Sequence, residues 1–368
     1  MTDSVLVAEH PAGDRVVGQL TLNVEKTLNS LTREMVEIIT DRLEAWADDD
    51  KVVAVFIDGA GEKAFCAGGD VQALRNSCIE TPGGPCEYAE HFFAREYRMN
   101  YLLHTYAKPL ICWGHGVVMG GGLGILAGCQ YRVVSERTRI GMPEITIALF
   151  PDVGGSWFLN RMPGQVGRFL ALTSSHINAT DALYCGLGTH YLPNEQKVDF
   201  LAELTKRAWS GDAAANHELV GAVLAHCVAG VEQPEAQLEP HIDTINEWMA
   251  GDDLGAIHAR VMGWQGDDSW LCKARDGFAH GSPLAASWIF RQLNQTREAT
   301  LEAVFESELI LGCNIMRHPE FAEGVRALLV DKDRSPAWAY PDLASVPANI
   351  VDSFFTAPAD MPVLGLPE

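Results

Sequence analysis

Residues 108–155 decide the fold: the stretch opens KPLICWGHGVVMGGGLGILAGC (108–129) and closes RIGMPEITIALFPDVGG (139–155). Leu110 to Trp113, preceded by Pro109, predicts a buried strand. The glycines at 114, 116, 120, 121 and 122 predict a bend, and a small apolar helix follows from Leu123. A chain without side chains there can approach a ligand closely, and the first amides of a helix lack intrahelical acceptors. Those amides, with the helix dipole behind them, favour negative charge. Glu144 and Asp152 then stand in an otherwise apolar run. Backbone that favours anions, followed by two acids in apolar surroundings, points to a catalytic site.

Upstream, VVAVFI (52–57) is a continuous apolar strand of the kind buried on both faces. GAGEKAFCAGGD (59–70) is a second glycine-rich bend, and it opens a helix at Asp70. If the two bends face one cleft, two backbone amides can converge on one oxygen and stabilise charge developing on a carbonyl. Around these elements the pattern predicts a hairpin (Val5 to Glu9, Val16 to Asn23) and an amphipathic helix from Leu31 to Ala47, capped by Ser30 or Thr32. Further helices are expected from Tyr88 to Tyr106, from Ser156 to Met162, again after a stop at Pro163-Gly164 to Leu172, and beyond a Thr180 cap. From about Val198 the composition turns to alanine-rich and acidic helices. The expected organisation is an α/β core over residues 1–200 and a mainly helical C-terminal region over 201–368.

Composition excludes several classes. Lys and Arg total 27 against 49 Asp and Glu, a formal charge of −22, and no basic cluster offsets it. Such a surface repels nucleic acid and anionic membranes. No apolar run approaches the ~18–20 residues needed to cross a bilayer. The start, MTDSVLVAEH, is neither a secretory leader nor an arginine-rich amphipathic one, so a cytoplasmic protein is expected. The nine cysteines are scattered with no CxxC pair, which argues against a disulfide framework and a thiolate metal site.

KAFCAGGD (63–70), the glycine bend (114–122) and MPEITIALFPDVGG (142–155) together resemble the enoyl-CoA hydratase/isomerase (crotonase) superfamily. FFAREY (92–97), SPLAASWIFRQL (282–293) and EGVRALLVDKDRSPAW (323–338) extend the likeness over nearly the whole chain. They resemble the branch that hydrolyses short 3-hydroxyacyl thioesters. The resemblance implies a crotonase (ClpP-like) fold of stacked ββα units, and backbone amides of Gly69 and Gly121 that bind a thioester oxygen. It also implies an acyl-CoA substrate, with 3-hydroxyisobutyryl-CoA from valine breakdown the expected one. No metal or redox cofactor is implied, because coenzyme A belongs to the substrate; a homo-oligomer is compatible with the family.

Hydratases of the superfamily carry one glutamate just after the glycine triplet and a second in the PE motif. Here the first position is Gly124 and only Glu144 remains. Glu144 is therefore expected as general base or nucleophile; its apolar neighbours would raise its pKa toward the working range. Asp152 is expected to bind the substrate hydroxyl or orient water, with helix capping as its structural alternative. Glu96 lies on an apolar helical stripe with Phe92, Phe93, Met99 and Leu103, so it needs a ligand or an arginine partner. His115 is expected to be structural, and Asp70 to begin a helix. Lys26 and Lys63 are candidates for the coenzyme A phosphates. An isomerase relying on Glu144 alone, and a non-catalytic acyl-CoA-binding or RNA-binding member, are the rival readings.

Overall fold

The computed structural model describes residues 3–227 and 232–366. Its strands are β1 (Val5–Ala12), β2 (Arg15–Leu22), β3 (Val52–Gly59), β4 (Ala64–Cys66), β5 (Leu110–Gly114), β6 (Val117–Met119), β7 (Tyr131–Val134), β8 (Arg139–Gly141) and β9 (His190–Tyr191). The first helices are α1 (Arg33–Asp48), α2 (Val71–Glu80), α3 (Glu87–Thr105), α4 (Gly121–Gly128), α5 (Gly155–Leu159) and α6 (Val166–Thr173). The ββα unit is visible in chain order: β3-β4-α2, then β5-β6-α4, then the pair β7-β8. The first strand of each pair enters a six-stranded sheet ordered β1-β2-β3-β5-β7-β9, and the second enters a three-stranded sheet ordered β4-β6-β8. β1 and β2 form an antiparallel hairpin, while the pairings from β2 to β9 are parallel. Every residue of β3 is buried, as its unbroken apolar run requires of a strand covered on both faces.

The chain forms two compact units, each built from three segments: 1–69, 99–140 and 177–236 in the first, and 70–98, 141–176 and 237–368 in the second. These do not follow the expected boundary near residue 200. The helices Lys197–Thr205 and Ala213–Cys227, although alanine-rich and acidic on their outer faces, bury Phe200, Leu204, Val220, Val223 and Leu224. Those side chains share one core with Phe56 of β3 and Trp113 of β5. A change in surface composition had the look of a domain boundary; the buried face of the same helices belongs to the sheet.

The second unit is mainly helical. Arg168 of α6 donates to the carbonyls of Met249 and Gly251, both at 2.7 Å, tying distant segments together through backbone acceptors. Glu90 of α3 and Arg317 form a bidentate ion pair at 2.8 Å on both arms. Among the described residues no helix is long and apolar enough to cross a membrane. None of the nine cysteines is in a disulfide.

Candidate active site

In the first unit the two glycine bends are neighbours. β4 and β6 run parallel, with Cys66 opposite Val118, so the turns that leave them lie side by side. A Cβ placed on Gly68 would lie 3.5 Å from the Met119 carbonyl oxygen and 3.8 Å from the Gly121 nitrogen. A Cβ on Gly122 would lie 2.5 Å from the Cys66 carbonyl oxygen, closer than any side chain tolerates, so only glycine lets the start of α4 pack there. Gly121 is the first residue of α4, and its amide has no acceptor within the helix. Among the described residues neither the Gly69 nor the Gly121 amide donates to a backbone carbonyl.

In the second unit the expected carboxylates are all buried. Glu96 on α3, Glu144 in the 3₁₀ turn Glu144–Ile147, and Asp152 are 2%, 4% and 4% exposed. The Glu144 turn is held by packing against later helices. The Ser282 amide donates to the Ile145 carbonyl at 3.1 Å, and a Cβ on Gly324 would meet the Ile147 backbone at 2.6 Å. Neither Glu96 Oε1 nor Glu144 Oε2 has a hydrogen-bond partner among the described residues, although both are enclosed. Two enclosed carboxylate oxygens without donors are costly unless a ligand satisfies them.

A fourth carboxylate, Glu308 in the helix Leu301–Met316, was missed by the sequence reading. It is wholly buried, and its two oxygens accept from the amides of Gly154 at 2.8 Å and Ser156 at 2.9 Å. Its signal was present in the sequence. Glu308 falls three and four positions after Phe305 and Val304, on the apolar stripe of its helix. Tyr97, beside Glu96, was also passed over; its hydroxyl donates to Asp152 Oδ2 at 2.8 Å.

Burial sets the electrostatics. It pushes Glu144 and Glu96 well above the usual carboxylate range, and the charge of Asp152 adds to both effects. Burial likewise raises Asp152 to about 7, against the pull of the Tyr97 hydrogen bond. Glu308 is raised to about 8 by burial and by Asp152, while the Ser156 and Gly154 amides act the other way. A carboxyl group whose affinity for protons lies near neutrality can take up or release one during catalysis.

The remaining expectations divide. Among the described residues Glu96 forms no ion pair with an arginine; burial and the charge of Asp152 are what act on it. Asp152 is not the cap of α5, whose N-cap position is Gly154; Glu308 satisfies those amides instead. Asp70 does cap α2, accepting from the Ala73 amide at 3.1 Å. His115 is buried, and its Nε2 donates to the Gly61 carbonyl at 2.9 Å, a structural role. Lys26 and Lys63 are exposed. The helix expected beyond a Thr180 cap is Ala179–Tyr184, capped by Asn178 in a capping box with Asp181. Among the described residues no group of three His, Cys, Asp or Glu is placed to hold a metal ion.

Comparison with known proteins adds the family context. The model of the enoyl-CoA hydratase/isomerase family matches residues 17–355. The mitochondrial 3-hydroxyisobutyryl-CoA hydrolase of Danio rerio is 35% identical over 341 residues, covering 92% of this chain and 87% of that protein. The small ribosomal subunit protein mS47 of Neurospora crassa is 34% identical over 361 residues, covering 94% of this chain and 70% of that protein. Among solved structures, a carnitinyl-CoA dehydratase from Mycobacterium thermoresistibile has a TM-score of 0.87 at 33% identity and covers 99% of both chains.

Proposed function

Because the chain belongs to the enoyl-CoA hydratase/isomerase family, we propose that it hydrolyses the thioester of a short branched 3-hydroxyacyl-CoA. 3-Hydroxyisobutyryl-CoA, released in valine breakdown, is the proposed substrate; the Danio rerio relative is named for that reaction. The observation that carries the reading is the solitary Glu144, buried with a free carboxylate oxygen, in a chain that has Gly124 where hydratases keep a second glutamate.

In this proposal the amides of Gly69 and Gly121 donate to the thioester oxygen and stabilise it as it gains negative charge. Glu144 supplies the attack on the carbonyl carbon, by removing a proton from water or by bonding directly and being released by water afterwards. Either route breaks the carbon–sulfur bond, adds one water overall and releases coenzyme A as its thiol. Raising Glu144's pKa by burial makes it the stronger base. Asp152, oriented by Tyr97, accepts the substrate hydroxyl, and Glu96 contributes to the same recognition. Lys26 and Lys63 are the proposed partners of the coenzyme A phosphates.

Release of free thiol from a panel of acyl-CoAs tests this directly. Rapid thiol release selective for 3-hydroxyacyl substrates is the expected outcome. An isomerase or a hydratase would be silent in that assay. That the Mycobacterium thermoresistibile protein is named a carnitinyl-CoA dehydratase favours water chemistry at a double bond, and the missing acid at position 124 counts against it. A net charge of −22 counts against an RNA-binding role. A cytoplasmic location and a homo-oligomeric state remain proposals. The mitochondrial name of the Danio rerio relative weighs against the first; cell fractionation and analytical ultracentrifugation decide each.

A further inference from the structure

We propose that Glu308 is a positioning residue for Asp152: its carboxylate locks the turn Asp152–Ser156 and thereby fixes the direction in which Asp152 meets the substrate hydroxyl. The inference rests on the hydrolase reading above and extends it to a residue far from the site in sequence.

The turn needs such a lock. Val153 has φ 54 and Gly154 φ 84. Left-handed backbone is ordinary for glycine but strained for a β-branched residue, and it persists only where the surroundings over-determine it. Glu308 provides that constraint, with one oxygen on the Gly154 amide and the other on the Ser156 amide. The Gly155 amide closes the turn onto the Asp152 carbonyl at 2.7 Å. Gln292 Nε2 donates to Ser156 Oγ at 3.2 Å and anchors the far end. Tyr97 holds the Asp152 carboxylate, and Glu308 holds the turn that follows it through Gly154 and Ser156.

Glu308→Gln keeps the shape of the side chain but turns one acceptor into an N–H donor facing an amide. The full-length variant and wild type are compared for thiol release from 3-hydroxyisobutyryl-CoA and from isobutyryl-CoA, which lacks the hydroxyl. The expected result is a loss of kcat/KM that is ~10-fold larger on the hydroxylated substrate, as for a misdirected hydrogen bond to a charged group. Equal losses, or none, overturn the positioning role. A wild type silent toward both substrates would sink the hydrolase reading alone. The ratio of Kd values for the two acyl-CoAs, measured by calorimetry, then decides: a narrowed ratio in the variant upholds positioning and an unchanged ratio overturns it. If Glu308→Gln loses its cooperative melt, Ser156→Pro takes its place. It removes one of the two donors within the first helical turn, where proline is tolerated.

Discussion

The hydroxyl of Tyr97 donates to Oδ2 of Asp152 across 2.8 Å, inside a region where both side chains are buried. A donor aimed at a carboxylate favours its ionised form, and here it opposes the larger effect of burial, which holds Asp152 at about 7. Tyr97 therefore lowers the pH at which Asp152 becomes a charged acceptor, against the larger effect of burial.

Tyr97→Phe removes that donor while keeping the ring against Phe93 and Phe305. Asp152 should then ionise at a higher pH. The acidic limb of the kcat/KM profile on a 3-hydroxyacyl-CoA is expected to move upward by about one pH unit. A profile superimposable on wild type would show that Asp152 does not titrate in the reaction.

Stability should fall as pH rises. Asp152 at about 7 and Glu308 at about 8 bind protons in the folded chain at pH values where the unfolded chain has released them. Their contribution is fully present below the ordinary carboxylate range and is lost as pH climbs through the folded values. Tm is expected to decline between about pH 5 and about pH 8, and Asp152→Asn should flatten the decline. Parallel melting curves for variant and wild type would contradict the assigned shift.

Gly122→Ala forces a methyl group into the Cys66 carbonyl. The bend must open, at a cost of ~1–3 kcal/mol in stability, as for other overpacked sites. Because the same movement displaces the Gly121 amide, kcat is expected to drop by ~10²–10³, the usual effect of losing one oxyanion donor. A variant that melts earlier but turns over normally would remove this bend from the chemistry.

Local features were well marked in the sequence. Of the two caps the sequence offered for α1, Ser30 and Thr32, it is Thr32 that accepts from the Met35 amide. The apolar run of β3 and the two glycine bends likewise lie where the pattern put them. What the sequence hid was long-range. Glu308 meets Gly154 across 154 positions, and no periodicity reports such a pairing. The helix Ala213–Cys227 is polar enough outside to resemble a separate region, while its inner face completes the sheet's core. Tyr97 was concealed by its aromatic neighbours, since a buried tyrosine in an apolar stripe is ordinary until its hydroxyl is seen to have a partner.

The most direct test is the rate of free thiol release by Glu144→Gln with 3-hydroxyisobutyryl-CoA, measured alongside the Kd of the intact thioester. Glutamine keeps the size of the side chain and removes both its basicity and its nucleophilicity. The account predicts that turnover falls by orders of magnitude while the Kd stays close to that of wild type. Turnover near the wild-type rate would contradict it, because some other group would then be delivering the oxygen to the thioester carbon.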